Sequence, residues 1–187
     1  MSENQTLHTF VLYVENQPGV LNRVASLFRR RAYNIESLTV GHTEREGISR
    51  MTIVAGISEG AAHRVEANLY KLVNVLSVED VTHISTIARS LAFIKVEAHE
   101  ESRHRLMEIV RVFRARVVDL APQSLVIEIT GTEDKIQALE EVLRPFGILE
   151  MVRTGQVVMS RGLKKTAGKR RRDAKEVANE PEISHSV

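Results

Sequence analysis

Three places in the sequence bring together residues whose types and spacing could do chemistry. The first is VENQPGVL, residues 14–21, where a strand-like run (HTFVLYV) gives way to a helix-like one through Asn16, Gln17, Pro18 and Gly19. The first N–H groups of a helix lack internal partners and carry partial positive charge. A carboxylate or phosphate can sit there with no basic side chain nearby. Gly19 has no Cβ to keep a ligand off the backbone, and Asn16 offers both donors and an acceptor. The same residues also suit an ordinary helix start, with Asn16 as a local cap and Pro-Gly as turn chemistry.

The second place is HEESRH, His99 to His104. A zinc-protease helix needs two histidines four residues apart on one face; these are five apart, at a predicted strand-to-helix turn. No metal site is expected. The third is a set of carboxylate pairs, Glu79-Asp80, Glu100-Glu101 and Glu140-Glu141. Sequential neighbours are poorly placed to share a proton, because on a strand they point to opposite faces. There is no GxSxG, Walker loop or GxGxxG. No catalytic residue is assigned.

The elements that must position these residues follow from periodicity. Phe10, Leu12 and Val14 alternate on one face of a first strand. From Pro18, which suits a first helical turn, Val20, Leu21, Val24, Leu27 and Phe28 recur at helical spacing. NIESLTVGH and ISRMTIVAGI are strands joined by TEREG; Ala61, Val65, Leu69 and Leu72 mark a helix; VLSVEDVTHI closes as a strand. A second pass repeats the order. LAFIKVEAH, a helix striped by Leu106, Ile109, Val110 and Phe113, then VVDLA and SLVIEITG around Pro122-Gln123. Thr132 can cap a helix carrying Ile136, Leu139 and Leu143, and GILEMVRTGQVVMS returns as one strand. The fold class is α+β: two ferredoxin-like βαββαβ domains, residues 1–86 and 87–162.

After Gly162 the period dissolves, and residues 163–187 are read as a disordered basic tail. From position 161 onward there are eight Lys or Arg against four Asp or Glu, while the first 160 residues carry eighteen against twenty. The basic balance therefore belongs to the tail and not to the body. No cysteine means no disulfide framework and no thiolate site. No membrane segment or secretory signal is visible, so a cytoplasmic protein is expected. An RNA-recognition module shares the βαββαβ order but stacks bases on aromatics of its central strands. ISRMTIVAGI has none, and no nucleic-acid partner is expected.

ENQPGVLNRVASLFRRRAYNIESLTVG followed by SRMTIV closely resembles the small, regulatory subunit of acetolactate synthase, and the likeness continues through VVD, EITG, RPFGILE, RTG and SRG, to about residue 162. The resemblance implies that the first half is an ACT domain, a βαββαβ module that binds small effectors, and the second an ACT-like domain. It also implies a non-catalytic homodimer that activates a large subunit. That large subunit, and not this chain, would hold thiamine diphosphate, FAD and magnesium. Feedback inhibition by valine, or another branched-chain amino acid, would act in branched-chain amino-acid biosynthesis. By matching motif, Asn16, Gly19, Val20 and Leu21 would form one side of the effector site, with Asn34 and Ile35 supplied by the partner chain.

On that reading the bare turn makes sense. The amino acid's carboxylate would use the helix-start N–H groups, its ammonium the carbonyls near Asn16 and Asn34, and its side chain Val20, Leu21 and Ile35. Two other readings stay open: an ACT sensor of another enzyme, and an enzyme on a ferredoxin-like scaffold.

Overall fold

A computed structural model describes residues 6–162. The basic tail expected over 163–187 lies outside the described residues. The first domain runs β1 (Thr6–Glu15), α1 (Val20–Arg30), β2 (Ile35–His42), β3 (Ile48–Ile57), α2 (Glu59–Leu69) and β4 (Val75–Asp80). The second runs β5 (Thr86–Glu97), α3 (Glu100–Val112), β6 (Arg116–Leu120), β7 (Ser124–Gly131), α4 (Glu133–Leu143), a short 3-10 turn, β8 (Ile148–Arg153) and β9 (Val157–Ser160). The first sheet is ordered β2-β3-β1-β4 and the second β6-β7-β5-β8, all antiparallel. The two halves therefore repeat one ferredoxin-like topology. Among the described residues no helix is long and apolar enough to cross a membrane.

Alternation decides which face of each sheet is buried. Phe10, Leu12 and Val14 of β1 meet Met51, Ile53 and Ala55 of β3 under α1 and α2, whose Val24, Leu27, Phe28, Val65 and Leu69 complete the first core. Ala92, Ile94 and Val96 of β5 do the same with Leu125, Ile127 and Ile129 under α3 and α4. The opposite face of the first sheet is covered as well. Val11 and Tyr13 pack with Val81, Ile84, Ala88 and Val158 in a third cluster, so a ribbon made by the start of β5 and β9 lies on the first sheet. Phe10 and Tyr13 thus point to opposite faces, and Tyr13 is flanked by the guanidinium groups of Arg45 and Arg50, each 5.8 Å from its ring centre.

Four boundaries differ from the sequence reading, the first being that β5 starts at Thr86 and not at Leu91. VLSVEDVTHI stops as a strand at Asp80, because Asp80 Oδ1 accepts the Thr82 N–H at 3.0 Å and turns the chain. GILEMVRTGQVVMS is two strands: β8 pairs with the second half of β5 and β9 with the first half. The break falls at Thr154, whose N–H donates to the Leu91 carbonyl at 2.9 Å and whose hydroxyl accepts the Leu91 N–H at 3.0 Å. Pro18 is not in the first helical turn; α1 starts at Val20, after a turn with Gly19 at φ +82°.

Candidate functional site

The turn from β1 into α1 is braced from three sides. The Glu15 N–H donates to the Asn74 carbonyl at 2.9 Å, and the Asn16 N–H to the Gly47 carbonyl of the β2–β3 turn at 2.8 Å. Asn74 Nδ2 donates to the Glu15 carboxylate at 2.7 Å, while Arg23 donates to Asn74 Oδ1. Arg23 is a cation beside the turn that sequence reasoning passed over. Its guanidinium is engaged with Asn74.

Asn16 is not the cap of α1. Gly19 holds the N-cap position in the left-handed region, and among the described residues no side chain caps the helix start. The Val20 N–H reaches the Gln17 carbonyl at 3.3 Å; among the described residues no acceptor meets the N–H of Leu21 or Asn22. An uncapped start alone does not distinguish α1, since α2, α3 and α4 also lack a side-chain cap. Thr132 stands at the N-cap of α4, yet its hydroxyl makes no capping bond. The difference lies in charge. α2, α3 and α4 carry Glu59, Glu100 with Glu101, and Glu133 with Asp134 in their first turns, whereas α1 has no acid there and carries Arg29 and Arg30 in its last. Its positive end is therefore not answered by a carboxylate of its own first turn.

The six residues expected at the site are placed as follows. Asn16, Gly19 and Leu21 are exposed at the turn, Leu21 with 43% of its surface open. Val20 is buried in the core, so only its backbone belongs to the turn. Asn34 is exposed, its Nδ2 2.6 Å from the Glu36 carboxylate, and Ile35 packs at the margin of the first core. The two groups are not together within the chain. Ile35 stands opposite Ala55, and Ala55 opposite His8, whereas Asn16 follows Glu15, which stands opposite Ile48. From His8 to Glu15 is seven residues of β1, roughly 23 Å at 3.3 Å per residue. Asn34–Ile35 and Asn16–Leu21 occupy opposite ends of one sheet.

The other constellations resolve into structural contacts. His99 precedes α3 and lies 3.7 Å from Glu97, while His104 is 3.5 Å from Glu108. Asp80 bonds His8 and Thr82, and Glu140 pairs with Arg144 and Arg153. His8 itself is fully buried, with Nδ1 2.9 Å from Asp80 Oδ2 and Nε2 3.4 Å from Glu59 Oε2. Sequence reasoning did not single it out. Among the described residues no group of three or more His, Cys, Asp or Glu could hold a metal ion. Nearby on α2, the Glu66 carboxyl is raised above its ordinary pKa by burial and, next, by the charge of Asp80.

Comparison with known proteins bears on what this arrangement is for. Residues 10–77 match the family described as AHAS small subunit-like ACT domain, and residues 89–162 the family described as small subunit of acetolactate synthase. A probable acetolactate synthase small subunit of Archaeoglobus fulgidus is 49% identical over 158 residues, 84% of this chain and 99% of that one. The acetolactate synthase small subunit of Bacillus subtilis is 45% identical over 157 residues, 83% of this chain and 91% of that one. The crystal structure of the acetolactate synthase small subunit from Thermotoga maritima superposes with a TM-score of 0.78 at 34% identity, covering 85% of this chain and 99% of that chain. The chain belongs to the family of acetolactate synthase small subunits, with an ACT domain as its first half.

Proposed function

We propose that the protein is a regulatory, non-catalytic subunit of acetolactate synthase: it binds and activates a large catalytic subunit and confers feedback inhibition by valine held between two ACT domains. The observation that carries this reading is the placement of the two half-sites at opposite ends of the first sheet, whose outer strand β2 pairs, among the described residues, with no other strand on its far side. Two copies joined antiparallel along β2 would set the Ile35 end of one beside the His42 end of the other. The His42 end is also where Asn16 and Gly19 lie, since His42 stands opposite Ser49 and Ser49 opposite Val14. An isologous twofold contact would thus complete two sites at once.

In such a site the valine carboxylate would meet the free N–H groups of α1, a helix-end interaction of about 0.3–1 kcal/mol, rising to about 2 where partly buried. The ammonium would find the Asn16 and Asn34 carbonyl oxygens, and the side chain would rest on Leu21 and Ile35. A ligand that touches both chains favours one dimer arrangement over another, and only that difference can be transmitted. Couplings of about 1–3 kcal/mol suffice for several-fold to hundredfold inhibition. Thiamine diphosphate, FAD and magnesium belong, on this reading, to the catalytic partner.

The test is reconstitution. Purified chain mixed with an acetolactate synthase catalytic subunit should raise the rate of acetolactate formation, and valine should reverse the increase. An unchanged rate at every ratio would overturn the proposal.

A further inference from the structure

The half-site at Asn34–Ile35 begins β2, and the register against β3 shifts between Ile35 and Ser37. A shift of this kind lets a strand alter its twist locally without losing the rest of its ladder. Immediately beyond it, the second domain takes hold of the strand. The Gln156 N–H donates to Ser37 Oγ at 2.8 Å, and Thr39 Oγ1 donates to the Gln156 carbonyl at 3.2 Å.

Between these two bonds Gly155 lies against the strand with no room for a side chain. A Cβ there would fall 2.8 Å from the Leu38 carbonyl oxygen and 2.9 Å from Ser37 Oγ, and closer still to Thr39 Oγ1. Its φ is not in the left-handed region, so contact, not backbone conformation, is what requires glycine here. The other side of the loop is equally fixed. Thr154 is bonded to Leu91 of β5 through both its N–H and its hydroxyl, and Arg153 is paired with Glu133 and Glu140 of α4. Beside the contact a cleft of about 700 Å³ opens, with Leu7, Leu38 and Val54 on one wall and Glu133 and Arg153 on the other.

A close-packed contact passes on a displacement that a loose one would absorb, and the open cleft leaves space for the two domains to shift around it. We propose that residues 153–156 form the relay from the effector site to the second domain: a change in the set of β2 moves Gly155 and Gln156, and through Arg153 it moves α4. The inference rests on the effector reading above and deepens it, by naming the second domain as the part that carries the signal.

Two variants test it without touching the half-sites. Gly155→Ala forces the loop off the strand, while Ser37→Ala with Thr39→Val removes both hydrogen bonds and adds no bulk. Each full-length variant is titrated with L-valine by calorimetry, then assembled with the catalytic subunit and assayed. Valine affinity should stay within about threefold of the parent and stimulation should persist, while inhibition at saturating valine becomes partial, because bound valine no longer shifts the second domain. Parent-like inhibition in both variants, or valine binding lost together with inhibition, overturns the relay. If the parent chain itself binds no valine, it is the effector reading that falls.

Discussion

Ser37 and Gln156 stand 119 positions apart in sequence and share a 2.8 Å hydrogen bond. One belongs to the outer strand of the ACT sheet, the other to the connection that splits the last expected strand of the second domain in two. With Arg50 donating to the Val158 carbonyl, the bond belongs to a seam that covers the sheet face opposite the helices. Many sheets leave that face to solvent. Here it is where the two halves of the chain meet.

Gly19 sits at φ +82°, and among the described residues a Cβ there would have no atom within 4 Å beyond its chain neighbours. Gly19→Ala should therefore cost backbone strain alone, about 1 kcal/mol, seen as a drop of about 4–8 °C in the melting midpoint if the ACT domain unfolds as a unit. Gly19→Asp should leave assembly with the catalytic subunit intact while its carboxylate takes the place of the ligand's at the helix start. Valine inhibition should vanish; full valine sensitivity in this variant would refute the site.

His8 is sealed between Asp80 and Glu59 and stacks on Phe10 with ring centres 6.3 Å apart. His8→Ala would open a cavity in the first core and strip Asp80 Oδ2 of its imidazole partner, leaving Oδ1 bonded to Thr82. The expected cost is about 2–4 kcal/mol, measured by urea unfolding. A loss below about 0.5 kcal/mol, typical of surface changes, would mean that the cluster contributes little.

The raised carboxyl of Glu66 has the opposite sign from a stabilising salt bridge. Burial and Asp80 disfavour its charge in the folded state, so its contribution to stability is greatest where it is protonated and falls as pH rises through the folded pKa. Glu66→Gln should accordingly be more stable than the parent at pH 7, and the advantage should shrink to nothing as pH drops below the ordinary value of 4.5. Melting curves of both proteins across that range check the sign. A variant less stable than the parent at pH 7 would contradict it.

Much of this architecture was legible because its signals are local. Alternation in β1 placed Phe10, Leu12 and Val14 on the core face, and the spacing of Val24, Leu27 and Phe28 marked α1. Leu21 fits the same spacing yet stays open beside the turn. The break at Thr154-Gly155 was missed because strand-forming residues flank it on both sides. Gly155, the glycine inside that run, was the available signal, since glycine inside a strand often marks close backbone approach. The first residues of β5 were missed for a related reason: their partner, β9, lies about 70 positions away, and pairing over that distance leaves no local trace. For the site, motif could point to Asn16–Leu21 and to Asn34–Ile35. That they fall at opposite ends of one sheet depends on register, a property of three strands together.

The claim that two chains share the effector site is tested most directly by a mixed dimer. Gly19→Asp disables one half-site and Asn34→Ala the other, and a dimer carrying one of each, isolated through two affinity tags, retains one complete pair of halves. Calorimetry should then find no valine binding to either homodimer and about half the parent's stoichiometry in the mixed dimer, as twofold symmetry requires. A mixed dimer as inert as its two parents would contradict a site built across the interface.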